Sequence, residues 1–99
     1  MAEDAKEQTK LPENVVFVGQ KVPMAYVLGV VTQLSNNQKE VFIKARGRSI
    51  SKAVDVAEIV RRKFVQDAKV SNIEIGTEER TLENGQKINV SSISIAITK

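Results

Sequence analysis

The order of the apolar segments constrains this fold more than any other feature of the sequence. Two short runs rich in β-branched and aromatic residues, 14–18 and 40–45, have the composition of strands. Each is followed by a stretch whose apolar residues recur at helical spacing, and two further β-branched segments close the chain. This βαβαββ order in 99 residues predicts a two-layer α/β sandwich, with a mixed four-stranded sheet and both helices on one face.

The first strand and helix have clear boundary signals. The run 14–18 is almost wholly apolar and ends at Gly19, which predicts a strand buried on both faces. Pro23 suits the first turn of a helix, and the polar residues 35–37 suit its end. Between these signals, Val27, Leu28, Val31 and Leu34 fall at helical spacing.

The second helix is predicted to follow the break at residues 46–49, with Ser49 or Ser51 as its N-cap, and to run to about Val65. On a helical wheel one apolar face holds Ile50, Ala53, Val54, Ala57, Val60, Phe64 and Val65. Val56 and Ile59 fall outside that face as a second stripe. A stripe with no use inside one subunit predicts a subunit interface.

The last third of the chain predicts a long β-hairpin. Asn84-Gly85 is a strong turn signal between its two arms. The surrounding stretch 77–87 is too polar for a core, so the tip is expected to project from the body. The apolar alternation slips between Val90 and Ile93, which predicts a bulge at residues 91–92.

Composition removes several classes of function. The sequence has no cysteine and no histidine, which excludes a disulfide framework, a thiolate zinc site, a cysteine nucleophile and the commonest general base. Asp55 and Glu58 are the one nearby carboxylate pair suited to Mg²⁺, and such pairs more often form ion pairs with neighbouring cations. A metal-dependent nuclease is therefore disfavoured, and no cofactor or metal is expected.

Charge divides the chain into a tail and a body. Residues 1–13 are polar, have a balance of −2 and are expected to be a disordered tail. Residues 14–99 form the single predicted domain and hold 13 basic and 8 acidic side chains, a balance of +5 that favours a polyanionic partner. The longest apolar run, 22–31, is far shorter than the ~20 residues that cross a bilayer. With no secretory signal visible, a soluble cytoplasmic protein is expected.

The densest basic segment, residues 44–52, spans a strand end, a glycine turn and a helix start. Such a segment suits phosphate, because helix N-terminal amides point outward, arginine offers forked donors and Gly47 allows close approach. Lys21 follows the other strand, and parallel strands would place it at the same rim as Arg46 and Arg48. A solvated basic loop is the alternative.

Two further features bear on nucleic-acid binding. Arg80 and Lys87 flank the hairpin turn and suit a minor-groove arm. Glu78, Glu79 and Glu83 lie on the same arm and oppose phosphate binding, so an ordinary solvated hairpin is the alternative. Tyr26 is either a core aromatic or a platform for a base.

These segments together resemble the archaeal Alba chromatin proteins. The likeness covers about residues 14–98 and is strongest in the stretch KARGRSISKAVD, residues 44–55. The other matching segments are 14–21, 24–28, 58–64 and 90–95.

The resemblance implies a homodimer that binds double-stranded DNA, and often RNA, with little sequence preference. It also implies coating, bridging or condensation of the archaeal chromosome, with no enzyme activity and no small-molecule substrate. Phe64 matches a residue used where dimers meet side by side on DNA. The nucleic-acid contacts carried over by position are Lys21, Arg46, Arg48, Lys52, Arg80 and Lys87, together with Asn14 and Tyr26.

Gln20 departs from the family pattern. Members typically carry two lysines after the strand-ending glycine, and in some the first is acetylated, whereas this chain has the neutral Gln20 at that position. At about 0.9 per phosphate contact, a dimer lacking two such lysines loses up to roughly 2 units of salt slope. Weaker or more selective DNA binding is therefore an open alternative.

The sequence leaves two other functional hypotheses open. The first is a protein that stabilises or matures structured RNA, because the same cations read both backbones. The second is a pure oligomerisation module that uses the Val56 and Ile59 stripe.

Overall fold

The computed structural model describes residues 14–99, and the predicted tail, residues 1–13, lies outside this range. Its elements are β1 (Val15–Val18), α1 (Pro23–Ser35), β2 (Glu40–Arg46), a 3₁₀ turn (Gly47–Ser49), α2 (Ile50–Ile59), a π-helical turn (Val60–Phe64), β3 (Lys69–Thr81) and β4 (Lys87–Thr98). The sheet order is β1-β2-β4-β3; β1 and β2 are parallel and the other pairs antiparallel. The predicted βαβαββ sandwich is confirmed.

The core lies between one face of the sheet and the two helices. Alternate residues of the central strands point into it, so Val41 and Ile43 of β2 lie beside Ile97 and Ile95 of β4. The helices cover these strands with small and β-branched side chains, which suits a chain with only 4% aromatic residues. The buried helical residues are Val27, Val30 and Leu34 of α1, Ala53, Val56 and Ala57 of α2, and Val60 of the π-helical turn.

The predicted core face of α2 is confirmed for Ile50, Ala53, Ala57, Val60 and Val65 and was wrong for the other apolar residues of the helix. Val56 is fully buried and Ile59 packs against the core, so they are not an interface stripe. Val54 and Phe64, both assigned to the core face, are 42% and 45% exposed. A wide turn after α2, closed by the Val65 N–H to the Val60 carbonyl at 2.7 Å, shifts Phe64 out of the phase that an α-helix would give it.

Ser49, one of the two predicted N-caps, lies at the N-cap position of α2, but its side chain does not cap the helix. Neither Ser49 nor Ser51 caps it with a side-chain hydrogen bond, because the 3₁₀ turn leads directly into the helix. The hydroxyl of Ser49 is engaged elsewhere, at the first strand-to-helix junction.

β1 was expected to be buried on both faces, but it is an edge strand that the helices cover on one face only. Val18 is buried among helical side chains, whereas Phe17 is 42% exposed on the opposite face. That opposite face, called the open face below, also carries Lys44 and Arg46 of β2, Ser94 of β4 and Glu74 of β3.

The hairpin extends beyond the body, as predicted. β3 and β4 pair without interruption from Asn72 to Thr81, and the turn is closed by the Leu82 N–H to the Gln86 carbonyl at 2.7 Å. Gly85, with φ of 89°, provides the left-handed residue of this turn. Residues 77–91 are called the arm below.

The predicted bulge at residues 91–92 was wrong. The irregularity lies on β3, between Val70 and Asn72. The apolar alternation of β4 changes because Val90, at the base of the arm, points to the open face, whereas Ile93 points to the helix-covered face.

Within residues 14–99, no helix has both the length and the apolar character needed to span a membrane.

Candidate nucleic-acid interface

The two strand-to-helix junctions lie side by side at one end of the sheet. β1 and β2 run in parallel with Val18 beside Ala45, so Gly19 and Arg46 leave the sheet as neighbours. The sequence predicted this common rim, and the structure brings together the loop 19–22 and the 3₁₀ turn 47–49. They are called the junction surface below.

Lys52 and Ser49 hold the two junctions together. The ammonium of Lys52 donates to the Gly19 carbonyl at 2.9 Å and to the Lys21 carbonyl at 2.7 Å. The Ser49 hydroxyl donates to the same Gly19 carbonyl at 3.3 Å. Lys52 was predicted as a phosphate contact, and the structure places its charge against backbone carbonyls of the loop, from which it positions the exposed Lys21 and Gln20.

Tyr26 supports the same loop from below. Its hydroxyl accepts a hydrogen bond from the Lys21 N–H at 3.0 Å, and it lies 3.4 Å from where a Cβ on Gly19 would stand. Its ring is half-buried against the core. Of the two sequence hypotheses for Tyr26, this geometry favours the packed aromatic, with its hydroxyl exposed to the junction surface.

Arg46 lies on the open face between an aromatic ring and a carboxylate. Its Nε is 2.8 Å from Oε1 of Glu78 on the arm, and its guanidinium lies over the Phe17 ring, 6.0 Å from the centroid. The two charged side chains are each about half exposed, at 48% and 44%. Arg48 lies exposed on the 3₁₀ turn, just after Gly47, whose φ of 58° reverses the chain there.

The two cations of the arm, Arg80 and Lys87, lie on opposite faces of it. Arg80 reaches back to the junction surface, where it lines a shallow cavity of about 380 Å³ together with Gln20, Tyr26 and Arg46. Lys87 pairs with Thr81 while Arg80 pairs with Ile88, so consecutive pairs place the two cations on opposite faces of the arm. The structure therefore brings Arg80, but not Lys87, to the other candidate residues.

Asn14 lies at the start of the sheet, at the opposite end of β1 from the junction surface. Its backbone carbonyl accepts a hydrogen bond from the Phe42 N–H at 2.7 Å and so continues the ladder of β1. The structure does not bring Asn14 near the cations of the junction surface, because the four residues of β1 separate them.

Sequence reasoning missed the specific roles of Ser49, Phe17 and Glu78. With both helices on one face of the sheet, the alternation of β1 places Phe17 opposite the core-facing Val18, on the open face. No sequence signal pairs Glu78 with Arg46, because that contact crosses β4 and depends on the register of the hairpin.

Of the two carboxylates considered for Mg²⁺, Glu58 forms ion pairs with two arginines. Glu58 is 3.0 Å from Arg61 and 2.9 Å from Arg62. The hydrogen bond from Arg62 is the main reason that the pKa of the Glu58 carboxyl lies below its ordinary value. Among residues 14–99, no group of three or more acidic, histidine or cysteine side chains could hold a metal ion.

Comparison with known proteins gives the family of the chain. Residues 14–77 match the Alba family. The DNA/RNA-binding protein Alba of Methanocella arvoryzae is 56% identical over 90 residues, which is 90% of this chain and 94% of that protein. The chain therefore belongs to the Alba family.

Solved structures agree with this assignment. Alba from Thermoplasma volcanium matches with a TM-score of 0.82 and 55% identity, over 87% of this chain and all of that one. ALBA1 from Trypanosoma brucei matches with a TM-score of 0.74 and 28% identity, over 90% of this chain and 71% of that one. The fold is thus shared with Alba from Thermoplasma volcanium and ALBA1 from Trypanosoma brucei.

Proposed function

We propose that the chain is a homodimeric, largely sequence-independent DNA-binding chromatin protein that coats, bridges or compacts DNA and also binds RNA. The observation that carries this proposal is that three segments, each with an exposed cation, meet at one rim: the first junction with Lys21, the second with Arg48, and the arm with Arg80. Relatives more than half identical to the chain are named DNA/RNA-binding proteins.

The mechanism is phosphate neutralisation without chemistry. Each cation that replaces a condensed counterion contributes about 0.9 to the salt slope on duplex DNA. Contacts to phosphate position a protein but do not read sequence, which accounts for a weak sequence preference. Because RNA presents the same phosphates, the junction surface supports binding to both nucleic acids.

The two helices do not cover the whole of their side of the sheet. The part beside β3 that they leave exposed supports contact with a second copy of the chain. Ile73 and Ile75 of β3 pair with Ile95 and Ile93 of β4 and share their face, yet they are 55% and 82% exposed. An edge strand with exposed isoleucines is unfavourable in a monomer. Sedimentation equilibrium of the full chain is expected to give the dimer mass.

Phe64 is the proposed contact between dimers. It is 45% exposed on the π-helical turn, at the opposite end of α2 from the junction surface. That position leaves the junction surface accessible while neighbouring dimers meet. Association with the chromosome in the cytoplasm is part of this proposal.

The loop 19–22 favours one form of this proposal. Because Gln20 stands where family members carry a lysine, this protein binds DNA more weakly than a member with both lysines. Gln20 is exposed beside Arg46 and Arg80, where a lysine would add charge to the junction surface.

The test is a gel-shift titration of one duplex DNA and the matched RNA duplex at several salt concentrations, with Gln20→Lys alongside. Both duplexes are expected to shift, and Gln20→Lys is expected to steepen the slope by up to roughly 2 units per dimer. Binding of RNA with no binding of DNA would replace the chromatin proposal by a role on structured RNA. No shift of either duplex at low salt would overturn the proposal and favour an oligomerisation module.

A further inference from the structure

The contact between Arg46 and Glu78 joins the body of the protein to the arm across the open face. Arg46 lies at the end of β2 and Glu78 lies on β3, with β4 between them, because Arg46 pairs with Ser92 and Glu78 pairs with Val90. The 2.8 Å contact between Arg46 Nε and Glu78 Oε1 therefore depends on the sheet register and not on sequence proximity.

Two neighbours fix the guanidinium in this position. Phe17 lies beneath it, 6.0 Å from ring centroid to Arg46 Cζ, on the side of β1. Glu78 lies on the side of β3, so Arg46 extends across the sheet between them. A second cavity, of about 340 Å³, is lined by all three of these side chains together with Lys44 and Glu74.

We propose that Glu78 is an affinity-setting residue that withholds Arg46 from nucleic-acid phosphate. This inference rests on the proposed function and assigns a role within the same surface. A phosphate that binds the Nε of Arg46 must displace the Glu78 carboxylate that already holds it. Each subunit therefore binds with one cation fewer than its sequence offers until that ion pair opens.

The consequence is a specific signature in the salt dependence. If Arg46 stays with Glu78, it releases no counterion from DNA, and its contribution of about 0.9 per subunit is missing from the slope. Removing only the charge of Glu78 frees Arg46 for phosphate. Affinity and slope then rise together, whereas a general gain in positive potential raises affinity but adds no phosphate contact and so leaves the slope unchanged.

The arm offers a matched control. Glu79 is the next residue of β3 and carries the same charge, but it pairs with Asn89 and so points to the other face of the arm. Glu79→Gln changes the net charge by the same amount as Glu78→Gln without touching Arg46.

The experiment measures binding of one duplex DNA across a salt series for the wild type, Glu78→Gln, Glu79→Gln, Arg46→Gln and both double variants with Arg46→Gln. Glu78→Gln is expected to tighten low-salt binding about tenfold per dimer. Opening one exposed ion pair changes the binding constant by roughly a factor of three, and a dimer has two such pairs. The slope is expected to steepen by about 1.8 per dimer. Glu79→Gln is expected to give a smaller gain and no change in slope.

The Arg46→Gln background decides whether the effect acts through Arg46. There, Glu78→Gln and Glu79→Gln are expected to behave alike. Equal effects of the two variants in the wild-type background, or a slope change that persists without Arg46, would overturn this inference and leave the proposed function standing. If the wild type itself fails to shift DNA at low salt, the proposed function fails and this inference falls with it.

Discussion

The body of this protein and its arm fix their charged side chains in different ways. In the body, Lys52 is held by two backbone carbonyls of another loop, and Tyr26 supports the same loop from the core. In the arm, the strands that carry Arg80 and Lys87 are held by their own pairing and a turn, with the Arg46–Glu78 ion pair as a contact to the body. The body therefore couples binding residues to folding, whereas the arm can change its binding residues with little effect on stability.

The largest expected difference between the two regions is in the free energy of unfolding. Ile43→Ala removes a fully buried side chain at the centre of β2 and is expected to destabilise the protein by about 2–5 kcal/mol. Ile88→Ala, at a 41% exposed position on the arm, is expected to change stability by less than about 0.5 kcal/mol.

Urea denaturation measures both values; one fixed protein concentration is used, because self-association makes apparent stability depend on concentration. Similar losses for the two variants would show that the arm folds as part of the core. In that case the comparison between body and arm would break down.

The role of Lys52 gives a smaller effect that separates positioning from charge. Lys52→Met removes two charge-assisted hydrogen bonds to the Gly19 and Lys21 carbonyls and is expected to cost about 1 kcal/mol, as the group is partly exposed. The Lys21 N–H, which donates to Tyr26, is expected to exchange faster with solvent as the loop loosens. Hydrogen exchange by NMR measures this directly.

Lys63→Met is the matched control, because Lys63 is an exposed cation on the π-helical turn at the far end of α2. The free energy of unfolding of the Lys63→Met variant is expected to stay within about 0.5 kcal/mol of the wild type, and the hydrogen exchange of the Lys21 N–H is expected not to change. Equal losses of DNA affinity for both variants, with no change in Lys21 exchange, would mean that Lys52 acts only through its charge.

The same contrast explains what the sequence could predict. Element order, the sheet with helices on one face and the projecting hairpin all follow from local patterns, namely the strand runs, Pro23 and Asn84-Gly85. The common rim of the two junctions also followed, because it requires only that β1 and β2 be parallel.

What the sequence did not predict depends on relations between distant segments. The helical-wheel prediction misplaced Val56 and Phe64. The helix carries apolar residues on more than one side, and the π-helical turn shifts the phase of the residues after it. The exposure of Phe17 depends on both helices lying on the other face of the sheet, and the pairing of Arg46 with Glu78 depends on hairpin register. Each of these facts is a property of the assembled sheet.

The smallest expected effect tests whether the tip of the arm behaves independently of the body. Gly85 has φ of 89° with open space around it, so Gly85→Ala introduces backbone strain of about 1 kcal/mol and no steric clash. The strain can be relieved by opening the tip, and the amides of Leu82 and Gly85, which close the turn, are expected to exchange about fivefold faster. The free energy of global unfolding is expected to fall by less than about 0.5 kcal/mol, because the opened tip leaves the core intact.

Gly29→Ala is the same substitution at a position where it is expected to raise the free energy of unfolding rather than lower it. Gly29 lies within α1 and also has nothing within 4 Å of an added Cβ. Alanine there is expected to stabilise the protein by up to about 1 kcal/mol, through the helix propensity of the body. If Gly85→Ala lowered global stability by as much as Gly29→Ala raised it, the turn would be part of the cooperative unit. DNA affinity would then depend on the arm through folding as well as through the position of Arg80.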